Sequence, residues 1–229
     1  MNTETEEQFL ARAREKMGPE LGPIYVALFN EVAAIHVRWG QAKKLFAHSP
    51  ERIELLNEAA GSFFTLVQNV FWEHLLLNIA RLTDKPRSGP GSRLTLRALA
   101  NAIPDPAFAK EVADLADAAD APLVRKWRDV RVAHRNRALA LGQTSLPGLS
   151  LQDIDNALGA IARVLNHVQG KYFGWARSPF DDVIFGLDDA DAVVRLLRLG
   201  LKERRDRIER LRRGEITPEE FRRVEEVGD

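Results

Sequence analysis

The chain has no cysteine. That excludes a disulfide framework and any thiolate metal centre. It also lacks charge of one sign: 33 Lys and Arg residues are balanced by 33 Asp and Glu. Global attraction to nucleic acid or to an anionic membrane is therefore excluded, and any basic function must be local. No uninterrupted apolar run approaches the roughly 18–20 residues of a membrane span. β-branched residues are sparse, and no Asn-Gly or Asp-Gly pair joins alternating runs, so hairpins are not expected. The phosphate-cradling and nucleophile-elbow motifs G-x-x-x-x-G-K-[ST], G-x-G-x-x-G and G-x-S-x-G are missing. No two histidines stand four apart and no His/acid group has metal-ligand spacing, so neither a metal nor a cofactor is expected. The N-terminal residues are acidic and polar, unlike a secretory leader. The expectation is a cytoplasmic protein without a membrane segment.

What remains is a chain of 229 residues, 45% hydrophobic and 29% charged, with helical periodicity almost throughout. Helices are expected over about 3–16, 23–46, 50–83, 94–103, 107–118, 122–141, 151–172 and 188–213, with a last short one from Thr217-Pro218-Glu219-Glu220. Ser49-Pro50-Glu51 reads as a cap, a first-turn proline and an acid at the positive helix end. Ser150 with Asp153 reads as a capping box. On 23–46, Ile24, Ala27, Leu28, Val32 and Ile35 share one expected inner face. The helix over 50–83 is apolar around most of its circumference, which predicts a central core element. One polar line crosses its second half, His74, Asn78 and Arg81. Arg81 and Asp84 have the spacing of a helix-end ion pair. The fold class expected is all-α, with a helical bundle over residues 1–175 and an irregular linker and C-terminal helical hairpin over 176–229.

One stretch concentrates chemistry. Trp127 to Arg137 holds four arginines and one of the five histidines in eleven positions. On an ideal helix Arg128 and His134 lie about 120° apart, with Arg131 about halfway between them and Arg135 close to Arg128. One half of that helix is a basic strip with an imidazole at its edge. Neighbouring positive charges disfavour protonation of His134. A neutral imidazole near pH 7 serves as a general base and its conjugate acid as a general acid. Arginines beside it bind phosphate and stabilise charge that develops on it. The plainest competing reading is a solvated basic helix face.

The pattern Arg128-Asp129-x4-His134 resembles the Arg-x(4–6)-His motif of HEPN domains. The helix ending Asn78-Ile79-Ala80-Arg81-Leu82-Thr83-Asp84, the Gly/Pro loop after it and the Leu94-Thr95-Leu96 helix start extend that resemblance to the AbiU2 branch, over about residues 20–175. The resemblance implies a helical bundle that forms a homodimer with two motif helices facing each other. It further implies RNA cleavage without metal, by attack of the RNA's own 2′-hydroxyl on the adjacent phosphate. On that carry-over His134 is the general acid or base, and Arg128 binds the scissile phosphate. Asp129 orients Arg128 or its counterpart in the second copy. Arg131 and Arg135 are then RNA-backbone contacts, a role suggested by the residues themselves. His74, Asn78 and Arg81 either line the same cleft or form a hydrogen-bonded structural line. The branch's association with abortive phage infection implies a defence or toxin–antitoxin role, with RNA and a cognate antitoxin or other protein as partners. Two alternatives stay open: a non-catalytic HEPN-type module that binds RNA, a nucleotide or a protein, and a scaffold whose C-terminal hairpin engages a partner helix.

Overall fold

A computed structural model describes residues 5–85, 93–130, 146–174, 180 and 188–215. Among them every regular element is helical. The helices are α1 (Glu6–Met17), α2 (Leu21–Phe46), α3 (Pro50–Thr83), α4 (Leu96–Asn101), α5 (Pro106–Ala118), α6 (Pro122–Arg128), α7 (Leu151–Phe173) and α8 (Asp189–Arg212). Among the described residues, no helix is long and apolar enough to cross a membrane. The expected helix from Thr217, and residues 131–145 with His134, Arg131, Arg135 and Arg137, lie outside the described residues.

Local chemistry sets the helix ends. Thr5 and Gln8 form a capping box on α1, and Ser150 and Asp153 form one on α7. The Thr95 hydroxyl accepts from Ala98 N, and the Asp105 carboxylate accepts from Ala107 N and Phe108 N. Each satisfies backbone donors that the first helical turn leaves open. Gly18 ends α1 at φ 91°, a dihedral that side chains disfavour. A few residues on, a Cβ at Gly22 would lie 2.8 Å from the backbone of Ala13 and Arg14. Only glycine lets α2 start that close to α1.

The chain divides into two compact units. The first comprises Met1–Gly40 and Asn69–Phe185. Its core takes Leu21, Tyr25, Leu28, Val32 and Ile35 from α2, Leu76, Ile79 and Leu82 from α3, and Ile154, Leu158 and Ile161 from α7. The inner face of α2 is therefore rotated from the expected one. Ala27 is exposed and Tyr25 is fully buried. A phenol is tolerated there because its hydroxyl donates to Gln169 Oε1 at 3.2 Å, so the polar tip keeps a partner. Burial raises the Tyr25 pKa, against a smaller opposing effect of Arg12. On the same helix the Trp39 indole donates to Asp155 Oδ1 at 2.7 Å. α4 packs on α5, and α5 and α1 pack on α7.

The second unit comprises Gln41–Gln68 and Gly186–Asp229. Asp191 at the start of α8 accepts from Lys44 at 2.7 Å and from Arg52 at 2.9 Å. Lys44 first, then Arg52, holds the Asp191 carboxyl below its ordinary range. α8 buries Ala190, Val194 and Leu201 and exposes Val193, Ile208 and Leu211, so its inner stripe is narrower than its sequence spacing suggests.

α3 is less buried than expected. Ala60 leaves helical dihedrals at φ −163°, ψ 65°, which breaks the helix near its middle. Phe63, Leu66, Val70 and Leu77 are exposed. The helix is apolar around most of its circumference, whereas Leu75, Leu76, Ile79, Ala80 and Leu82 put only one side of it into the core.

Candidate phosphate-handling site

The first unit brings together the end of α3, the start of α4 and the whole of α6. Pro122 occupies the first turn of α6, and Ala121 provides no side-chain cap. The helix is anchored instead by Val124, which is buried, and by Trp127, whose indole donates to Pro147 O at 2.9 Å. Asp129 and Val130 prolong it as a π-helical turn. This anchoring fixes Arg125 and Arg128 on one side of α6, three residues apart.

Both arginines meet Asp84, the first residue past α3. Arg128 Nη1 is 3.7 Å from Asp84 Oδ2 and Arg125 Nη1 is 4.0 Å from Oδ1. Arg93, at the entry to α4, reaches Asp84 Oδ2 at 3.1 Å. The Asp84 side chain is only 14% exposed, so three guanidinium groups converge on one half-buried carboxylate. Arg128 Nε also lies 2.6 Å from Asp129 Oδ1. Its N–H is not aimed at that oxygen, because Nε is buried without a hydrogen bond. The contact is an ion pair and leaves the N–H direction unsatisfied. Arg125 pairs in addition with Asp120.

Arg97 braces the same corner. Its Nη1 donates to Thr83 O at 2.7 Å, capping a terminal carbonyl of α3, and its Nε donates to Asp117 Oδ1 at 2.7 Å. A cation at a helix C-terminus satisfies orphan carbonyls and complements the helix dipole. Thr83 turns its hydroxyl back to Ile79 O at 2.9 Å. The result is an open pocket of about 480 Å³ with Arg128 on its wall.

Arg128 and Asp129 are thus side by side, as their sequence adjacency requires. His134, Arg131 and Arg135 lie outside the described residues. His74, Asn78 and Arg81 form a line of their own. Asn78 Nδ2 donates to His74 O at 2.7 Å and Arg81 Nη2 donates to Asn78 Oδ1 at 2.8 Å. Arg81 pairs with Glu31 rather than with Asp84. None of the three lines the pocket beside Arg128. Burial, reinforced by Arg38, holds the His74 pKa below the usual histidine range.

Asp84 as a hub and Arg125 as a second pocket arginine emerge only in the fold. A wheel signal for Arg125 was present, since it precedes Arg128 by one helical turn. Asp84 carried no such signal, because its partners come from three separate segments. Among the described residues, no group of three or more His, Asp or Glu side chains is arranged to hold a metal ion. Chemically, several guanidinium forks facing one open pocket match the geometry of a phosphate or carboxylate.

An all-α chain with a motif arginine late in its bundle fits the class of HEPN domains. The family model HEPN_AbiU2, described as AbiU2, matches residues 18–196. The chain belongs to the AbiU2 family of HEPN domains. That match starts close to the expected similarity over 20–175 and continues into α8. No curated protein and no solved structure is matched by the chain.

Proposed function

We propose that the chain is a metal-independent endoribonuclease of the HEPN type. The observation that carries this reading is Arg128, held by Asp84 and Asp129 at an open, arginine-lined pocket within the family-matched region. Arg128 binds the scissile phosphate and stabilises the negative charge gained as the ribose oxygen adds. His134 provides proton transfer. The 2′-hydroxyl loses its proton and its oxygen bonds to phosphorus. The bond from phosphorus to the 5′-oxygen breaks, and that oxygen takes up a proton. The products are a 2′,3′-cyclic phosphate and a 5′-hydroxyl. Asp129 and Asp84 keep the guanidinium in place, because a strained or mobile Arg128 would spend binding energy on ordering. Arg131 and Arg135 extend the contact along the backbone. Two copies pair through their motif helices, and the protein acts in the cytoplasm in phage defence or as a toxin restrained by a protein antitoxin.

The test is RNA cleavage in EDTA by wild type and by His134→Ala. Cyclic-phosphate products from wild type and none from the variant support the reading. Cleavage that needs Mg²⁺ sinks it. The alternative, a non-catalytic module that binds RNA or a nucleotide, draws on the arginines alone: among the described residues Arg93, Arg97, Arg125 and Arg128 line the pocket. It predicts salt-sensitive binding with no product.

A further inference from the structure

The pocket beside Arg128 is larger than one phosphate requires, and its described lining is cationic. Among the described residues five cations line it, with Lys85 and Arg93 among them, against two lining carboxylates, Asp84 and Asp120. Adding Asp117 and Asp129, which pair with Arg97 and Arg128 from outside the wall, leaves one net positive charge among these described residues. The cations differ in how much of each guanidinium is already used. Arg97 is committed on three nitrogens, to Thr83 O and Asp117. Arg93 commits Nη1 to Asp84 and is 41% exposed, and Lys85 is exposed. Arg93 and Lys85 therefore keep donors for an incoming anion in the same pocket as Arg128. A guanidinium carries five N–H donors, so pairing on one edge leaves the other edge open.

The wall chemistry also says what does not bind. Among the described lining residues there is no aromatic ring and no large apolar side chain. These residues offer a base no ring to stack on, and stacking is the usual grip on single-stranded bases. The described lining suits the charged backbone. Its volume of about 480 Å³ lies within the roughly 300–1,000 Å³ of small-ligand sites, which is room for more than a lone phosphate.

We infer that Lys85 and Arg93 form a second phosphate subsite, which takes a phosphate joined through one nucleotide or anhydride link to the phosphate at Arg128. The ligand is either the next backbone phosphate of an RNA strand or the second phosphate of a free nucleoside diphosphate. Because the contacts are to phosphate, the subsite sets register along the strand and does not read sequence. The inference rests on the proposed role of Arg128, yet it is measured by binding and not by cleavage.

The experiment uses the full chain and a fluorescent 2′-O-methyl oligoribonucleotide, which lacks the attacking hydroxyl. Affinity is measured against NaCl concentration for wild type and for Lys85→Ala/Arg93→Ala, with ADP as competitor. Loss of one phosphate contact on a single strand lowers the log–log salt slope by about 0.7. Affinity at low salt is expected to fall about tenfold, as for loss of a hydrogen bond to a charged group. Both changes, with no displacement by ADP, assign the subsite to an RNA strand. Displacement by ADP that weakens in the variant assigns it to a free diphosphate. Unchanged affinity and slope overturn the subsite, as does a wild-type protein that binds neither ligand. Lys85→Ala alone, on an exposed side chain, gives the same readout if the double variant fails to fold. A variant that loses slope while wild type cleaves nothing leaves the subsite standing and removes the nuclease reading. Intact slope with His134-dependent cleavage does the reverse.

Discussion

Replacing Asp84 with Asn keeps the size and an acceptor oxygen but removes the charge that three arginines share. At 3.1, 3.7 and 4.0 Å, each pair has a gross attraction of roughly 4–5 kcal/mol at an effective dielectric near 20. Most of that is offset by desolvation and by repulsion among the guanidinium groups themselves. The net value is bounded by two kinds of measurement. Exposed pairs contribute about 0–1 kcal/mol, and breaking a buried pair costs about 3–5 kcal/mol. With Asp84 14% and Arg128 18% exposed, and with Arg93 more open, Asp84→Asn should destabilise by about 2 kcal/mol. The sign of the salt effect is diagnostic. In the variant three like charges face one another, so salt screens repulsion there, whereas it screens attraction in wild type. The gap in urea midpoint should narrow as NaCl rises from low concentration to 1 M, where the screening length is about 3 Å. Asp114→Asn is the control. It breaks an i,i+4 pair with Lys110 of 2.6 Å whose side chains are 73% and 64% exposed, and should change stability by less than about 0.5 kcal/mol. An Asp84→Asn variant as stable as Asp114→Asn, or a gap that salt does not narrow, refutes the hub.

Further expectations concern the rest of each unit. Trp39→Phe removes an indole that donates to a carboxylate at 2.7 Å from a nearly buried position. It should lower stability in urea by about 2 kcal/mol, and a change under about 0.5 kcal/mol would show that the bond contributes nothing net. Asp191 is held below its ordinary 3.8 by Lys44 and Arg52. Its contribution is therefore complete above that ordinary value and is lost as pH falls through the depressed one. Asp191→Asn should flatten the acid limb of a stability–pH curve at the low-pH end. A limb of unchanged steepness assigns the acid sensitivity to other carboxylates.

Helix ends were legible because the chemistry that sets them is local. Ser150 and Asp153 bond to each other's backbone over three residues, and so do Thr5 and Gln8. No distant partner was needed to foresee the first of these. Helix faces were less legible. Tyr25 is buried with its hydroxyl donating to Gln169 on another helix, a partner that spacing on α2 alone, which favoured Ala27, does not show. The pairing of Arg81 shows the same limit. Three-residue spacing suggested Asp84, yet Glu31 from α2 takes Arg81 while Asp84 turns to Arg93, Arg125 and Arg128. In the candidate site, Arg128 stood out through its motif. The pocket around it is made by residues that converge only in the folded chain.

The proposed reaction has Arg128 and His134 act on RNA as a phosphate clamp and a proton-transfer group. It is tested most directly by the cleavage rate of His134→Ala in EDTA, with folding of the variant checked by its urea midpoint. A positioned general acid or base contributes typically 10²–10⁴-fold. The predicted result is a loss of at least about 100-fold, with wild-type products ending in 2′,3′-cyclic phosphate and 5′-hydroxyl. A folded variant that cleaves within a few-fold of wild type would contradict the claim.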